Sequence, residues 1–220
     1  MSSGNRIKTY VENGIYHVYN RGVNKQEIYL DDQDYRVFLH LLKYYLSPVS
    51  RETRHPLDGI ATILRPRPLA NLADELDLIA FCLMPNHFHL LIKQFTVEAM
   101  TKLMRRVLTT YVMYFNRRYK RVGYLFQGRY KAVLVETEEY LLHLSRYIHL
   151  NPVESVTRTD LVTYPYSSYP FYLGLKSATW VKTEEVLSLM GKQKYASYKD
   201  FVESHIGDDK EFLGKLMLED

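Results

Sequence analysis

Apolar residues change their period several times along the chain, and each change marks an element. Ile15-Tyr16-His17-Val18-Tyr19-Asn20, preceded by Asn13-Gly14, is rich in β-branched and aromatic residues and reads as a first strand. From Asp31 to Leu46, Tyr35, Phe38, Leu42 and Tyr45 recur at spacings of three or four, with acids in the first turn where the helix dipole favours them, which predicts a helix. Ser47 to about Asp74 holds Pro48, Pro56, Pro66 and Pro68 without clear periodicity and reads as a long connecting excursion. Leu76–Cys82 and His87–Lys93 are the second and third strands, joined through Met84-Pro85-Asn86 as an antiparallel hairpin. Thr96 to about Arg118 is a long helix with Met100, Leu103, Met104, Val107, Tyr111, Tyr114 and Phe115 near one stripe, ended by Gly123. Tyr130–Glu136 reads as a fourth strand. Thr137 can cap a last core helix, which Asn151-Pro152 stops because the residue before proline disfavours the helical region.

Strand, helix, strand, strand, helix, strand, helix is most simply an α+β, ferredoxin-like plan: one antiparallel sheet with helices on one face. After Pro165 the chain turns loop-like, and Thr179–Asp220 reads as two short helices. The expected division is a core domain over residues 1–172, with an insertion at about 47–75, and a small helical C-terminal extension over 173–220.

Composition narrows the classes. At 220 residues and 26.0 kDa, with 46% hydrophobic and 25% charged residues, the chain fits one domain with an appendage rather than a disordered or fibrous protein. The single Cys82 excludes an intramolecular disulfide framework and a multi-cysteine zinc site. No apolar run approaches the roughly 18 residues of a membrane span, and the first residues lack a hydrophobic segment, so the expected setting is cytoplasmic. The net charge of +4 conceals its distribution. Thr101–Lys131 carries nine basic residues and no acid, with five tyrosines interleaved, whereas Glu184–Asp220 carries nine acids against five lysines. A basic middle studded with aromatics points to a nucleic-acid partner.

Candidate chemistry gathers at two places. In a strand, His87 and His89 share one face, and two imidazoles side by side can bind one cation. In the last core helix, Tyr140, His143, Tyr147 and Asn151 form a mostly polar stripe, while Leu141, Leu144 and Ile148 form the apolar one. Tyr147 and Asn151, one turn apart, can point into the same pocket. Asn151 can offer an amide oxygen to a metal, and tyrosine can act as a covalent nucleophile. With 20 tyrosines in the chain, spacing alone does not single out Tyr147.

Several motifs resemble one family. Met84-Pro85-Asn86-His87-Phe88-His89-Leu90-Leu91-Ile92 is similar to the HUH motif of single-tyrosine transposases. Arg146-Tyr147-Ile148-His149-Leu150-Asn151-Pro152-Val153 resembles the tyrosine-helix motif of the branch called REP-associated tyrosine transposases. His17-Val18-Tyr19-Asn20-Arg21-Gly22, Gly128-Arg129-Tyr130-Lys131 and Tyr164-Pro165-Tyr166-Ser167-Ser168-Tyr169 resemble that branch too, and the likeness runs from about residue 14 to 172. It implies a ferredoxin-like HUH nuclease fold and a transposase that cleaves and rejoins single-stranded DNA at a hairpin through a 5′-phosphotyrosine. By the same resemblance His87, His89 and Asn151 hold Mg²⁺ or Mn²⁺, and Tyr147 is the nucleophile. In insertion-sequence relatives the third ligand is often a glutamine one turn after the tyrosine. Asn20, Arg21, Arg105, Arg106, Arg117, Arg118, Arg129 and Lys131 are the candidate DNA contacts, with tyrosines among them stacking on unpaired bases. Acting as a monomer or a homodimer is compatible with the family. The competing readings are a replication or relaxase-type HUH nickase and a domesticated, non-catalytic hairpin-binding protein.

Overall fold

The structure, a computed structural model, describes residues 10–47, 71–154, 161–191 and 195–204; most of the Ser47–Asp74 excursion and residues 205–220 lie outside the described part. The elements run β1 (Ile15–Arg21), α1 (Asp32–Leu46), β2 (Leu76–Met84), β3 (His87–Gln94), α2 (Ala99–Arg118), β4 (Lys131–Val135) and α3 (Glu138–Leu150). Three short helices follow: α4 (Tyr169–Tyr172), α5 (Glu184–Met190) and α6 (Tyr198–Glu203). The four strands form one antiparallel sheet in the order β2-β3-β1-β4, an α+β arrangement as expected.

The sheet is packed on both faces, and the alternation of side chains along each strand decides what goes where. Tyr16 and Val18 of β1 and Phe88, Leu90 and Ile92 of β3 pack with α1 and α2, including Phe38, Leu42, Leu103, Val107 and Tyr111. The opposite parity of β3, represented by Leu91, joins Leu141, Leu144 and Ile148 of α3 and, beyond them, Val186, Phe201 and Val202 of α5 and α6. The expected layer of helices on one face therefore describes α1 and α2, while α3 covers the other face. Its apolar stripe called for a sheet surface but did not say which. In β2 a register shift between Leu78 and Ala80 changes the parity, so that Leu76, Leu78, Phe81 and Leu83 all reach the α1/α2 side.

The ends of two helices differ from expectation for local reasons. α2 starts at Ala99 rather than Thr96, because Thr96 Oγ1 donates to Glu75 (3.1 Å) and Glu98, at the N-cap, makes no side-chain cap. α3 is capped as expected, Thr137 Oγ1 accepting from the Tyr140 amide (3.1 Å). It ends at Leu150, yet Asn151 keeps helical dihedrals (φ −48°, ψ −41°) before proline and opens a 3-10 turn. Asn151 Nδ2 donates to the Tyr147 carbonyl (3.0 Å), which offsets the proline's preference and extends the helical path to Asn151.

Candidate active site

β1 and β3 lie side by side in the centre of the sheet, and their register sets the site. Tyr19 is opposite His89, Arg21 is opposite His87, and on the other side of β1 Tyr19 is opposite Lys131. Residues directly opposite share a face. His17, Tyr19, Arg21, His87, His89 and Lys131 therefore belong to the face that α3 covers. The rings of His87 and His89 are 5.0 Å apart, and the Tyr147 ring stands edge-on to His89 at 5.5 Å and to His17 at 6.5 Å. Two strands and one helix thus bring His87, His89, Tyr147 and Asn151 together, although the histidines and Asn151 are more than sixty residues apart in sequence.

Hydrogen bonds orient each of these groups. Asn86 Nδ2 donates to the Lys25 carbonyl (3.2 Å), which turns its Oδ1 toward His87 Nδ1 at 2.6 Å. His87 must therefore donate from Nδ1. Its other nitrogen, Nε2, faces Asn151 Oδ1 at 3.4 Å. That oxygen is itself fixed, because Asn151 Nδ2 is committed to the Tyr147 carbonyl. In the neutral ring two lone pairs face each other, an arrangement relieved by a cation between them or a proton on Nε2. An octahedral ion with bonds of about 2.1 Å holds adjacent donors about 3 Å apart, close to this separation. Among the described residues no group of three or more His, Cys, Asp or Glu is placed to hold a metal ion; the donor set here is two imidazoles and an amide oxygen. These residues fit a divalent cation.

His17 is a residue whose role the sequence did not reveal. It is fully buried, and its Nε2 lies 2.8 Å from His89 Nδ1, so that Nε2 is the ring nitrogen His89 has left. Burial pushes the His17 pKa down to about 3, and burial followed by the neighbouring His17 and His87 holds His89 well below the ordinary imidazole value. Both rings are neutral near pH 7. His17 Nδ1 is buried without a hydrogen-bond partner. The available signal was the odd parity of His17 and Tyr19 on β1, but it becomes informative only once β1 is known to neighbour β3.

The candidate DNA contacts separate into groups. Arg105 and Arg117 are exposed on α2, on the far side of the sheet from Tyr147. Arg106 lies over the Tyr45 ring at 5.6 Å. Arg118 is drawn into ion pairs with Asp31 (2.6 Å) and the buried Asp34 (2.7 Å), which tie α2 to α1. Asn20 is buried and donates to the Gly128 carbonyl at 3.1 Å, fastening the end of β1 to the loop before β4. Arg21 and Lys131, whose Nζ lies 5.8 Å from the centre of the Tyr19 ring, belong to the tyrosine side, and Arg129 is exposed in the loop before β4.

The remaining motif residues hold α3 from behind. His149 sits between the Tyr198 hydroxyl (2.8 Å) and Ser168 Oγ (2.7 Å), and Ser168 also receives the Phe81 amide (2.8 Å). Burial lowers the His149 pKa to about 3. Buried Arg146 meets His143 Nδ1 at 2.9 Å and lies over the Phe201 ring at 4.5 Å.

Residues 70–151, which span β2, β3, α2, β4 and α3, match the family described as "Transposase IS200 like". Within this segment lie both halves of the site, the His87/His89 strand and the Tyr147 helix. Among solved structures, a REP-associated tyrosine transposase bound to a REP hairpin is similar over 83% of this chain and 92% of its own, at 17% identity and a TM-score of 0.52, which shows a shared fold. A candidate transposase from Deinococcus radiodurans R1 matches over 67% of this chain and 95% of its own, at 15% identity and a TM-score of 0.36. No curated protein matches the chain. Among the described residues no helix is long and apolar enough to cross a membrane.

Proposed function

We propose that this protein is a metal-dependent transposase/endonuclease that cleaves and rejoins hairpin-containing single-stranded DNA through Tyr147. The observation that carries the reading is the convergence of Tyr147, His87, His89 and Asn151 from three elements, with hydrogen bonds leaving His87 Nε2 and Asn151 Oδ1 face to face. His87, His89 and Asn151 would hold Mn²⁺ or Mg²⁺. Once bound, the ion supplies Lewis acidity toward the non-bridging oxygens of the scissile phosphate and orients that phosphate. His17 keeps the His89 ring in position from below.

Tyr147 sits on a helix capped at one end by Thr137 and locked along its back by Arg146 and His149, so its ring is held beside His89 rather than swinging freely. Its phenol oxygen attacks phosphorus and loses its proton. The P–O3′ bond breaks, the 3′ oxygen takes up a proton, and the 5′ side of the strand remains on tyrosine as a phosphodiester. A second 3′-hydroxyl can attack this ester, releasing Tyr147 and joining strands without an external energy source. Arg21 and Lys131, on the tyrosine face, would hold the strand along this path, and the α2 arginines would hold DNA only beyond the sheet edge. In this reading residues 1–172 carry the chemistry, and the α5/α6 unit of the extension steadies the tyrosine helix.

The test is cleavage of a panel of end-labelled single-stranded hairpin DNAs with Mn²⁺, with Mg²⁺ and with a chelator. Cleavage that needs the ion and is lost in Tyr147→Phe is the expected result. Hairpin binding without cleavage of any panel member would point instead to a non-catalytic hairpin-binding protein.

A further inference from the structure

Five tyrosines interleave with the basic run of Thr101–Lys131, and the structure separates them sharply. Tyr111 is fully buried, with its hydroxyl on the Ile28 carbonyl. Tyr114 and Tyr119 both donate to Asp34 at 2.8 Å. Tyr130 is hydrogen-bonded to Tyr10 (3.0 Å). Tyr124 alone among them stands out of the surface, 88% exposed, beside Val122 at 94%.

This exposure is not that of a loosely held loop. Arg121 N donates to the Asn116 carbonyl (2.8 Å), and Asn116 Nδ2 donates to the Gly123 carbonyl (3.0 Å). Gly123 has φ +91°, a conformation that only glycine adopts without strain. On the other side of Tyr124, the Leu125 carbonyl accepts from the Val23 amide (3.0 Å) and from Gln26 Nε2 (3.3 Å). Leu125 and Phe126 are buried, and Phe126 bridges to Gly22. Both neighbours of Tyr124 are thus tied down while its own ring is left in water. Anchoring the backbone beneath a large solvated ring does nothing for the core; it is the arrangement of a preorganised contact surface.

Position and charge say what it contacts. The loop is fastened to the end of β1, where the Gln127 amide donates to the Arg21 carbonyl (2.9 Å) and Arg21 is opposite His87 across the sheet. Exposed Arg117, Lys120 and Arg129 flank it in sequence, within a stretch that has no acidic residue. An acidic backbone bearing flat, unpaired bases matches an exposed ring on an anchored loop in a basic surround, because stacking needs a π-face and does not depend on base identity. We infer that Tyr124 is the stacking platform for an unpaired base next to the hairpin, at the end of the sheet that carries His87. This rests on the DNA reading above.

The experiment measures binding of a fluorescently labelled DNA hairpin with four unpaired nucleotides on each side of the stem, and of the same stem with blunt ends. A 2-aminopurine in the unpaired tail reports stacking by its quenching. Tyr124→Ala should weaken binding of the tailed hairpin by roughly 5- to 100-fold and abolish the quenching, while blunt-stem binding stays unchanged and Tyr124→Phe behaves as the intact protein. Equal binding of the tailed hairpin by the intact protein and Tyr124→Ala overturns the inference alone, as does an equal loss on both DNAs. Failure of the intact protein to bind either DNA removes the DNA reading and this inference with it.

Discussion

The two faces of the sheet are made from the same strands by alternate residues, yet they follow opposite rules. On the α1/α2 face the strands offer Tyr16, Val18, Phe88, Leu90 and Ile92, and the polar groups that approach, such as Asp34, are fully paired with Arg118, Tyr114 and Tyr119. On the α3 face the same strands offer His17, Tyr19, His87 and His89. There an imidazole nitrogen is buried without a partner, and acceptors face one another at 3.4 Å. One face pairs its buried carboxylate and holds the fold, although the Tyr29 hydroxyl is buried there without a hydrogen-bond partner. The other gathers imidazoles, a tyrosine and an amide around one point. A slip of one residue in the β1–β3 register would exchange the two faces, so the packing of Phe88, Leu90 and Ile92 is also what aims the histidines.

Substitutions that separate these roles sharpen the contrast. The largest thermodynamic effect belongs to the packed face. Leu90→Ala, at a fully buried position next to His89 but on the opposite face of β3, should cost about 2–5 kcal/mol of stability while leaving Mn²⁺ affinity of the folded protein unchanged. Denaturant unfolding alongside a Mn²⁺ titration checks both halves, and a loss of affinity at full folding would contradict the division.

His17→Leu addresses the other face. Removing the ring that meets His89 Nδ1 should lower Mn²⁺ affinity roughly 10- to 100-fold, the range expected for a group that orients a metal ligand. His17→Gln, which can present a carbonyl oxygen near the same place, should recover part of that loss. Unaltered Mn²⁺ binding in both variants, measured by titration calorimetry, would confine His17 to packing.

The smallest effects come from the basic side chains, and here the two faces should differ in kind. Lys131→Ala, on the tyrosine face, should reduce cleavage of hairpin DNA. Arg105→Ala, exposed on α2, should only weaken binding, flattening its salt dependence by about one phosphate contact. Equal effects of the two on cleavage would mean that the two faces do not differ in the way they act on DNA.

Much of the fold was legible because each main element carries its own local pattern. The alternation in His17-Val18-Tyr19, the apolar stripes of α1 and α2 and the Pro85-Asn86 turn each predict their element without knowledge of the rest. What stayed hidden needs long-range pairing. The stripe of Leu141, Leu144 and Ile148 announces a helix that packs on a sheet, but only the strand order puts it on the histidine face. Arg118 looked like a surface charge until Asp31 and Asp34 were brought to it from 84 or more residues away. Asn20, read as a DNA contact, is turned inward onto Gly128. For the site, the motifs named His87, His89, Tyr147 and Asn151, and the structure brings these four together. His17 could not be named, because its partner lies two strands away in sequence but next to it in the sheet.

The most direct test of the account is to incubate the protein with labelled hairpin DNA and Mn²⁺, denature it, and look for a covalent protein–DNA adduct by gel and mass spectrometry. The intact protein should yield an adduct whose modified peptide contains Tyr147, with none formed by Tyr147→Phe or His89→Ala. An adduct that persists in Tyr147→Phe, or DNA cleavage that leaves no covalent species at any time, would contradict the assignment of Tyr147 as the nucleophile.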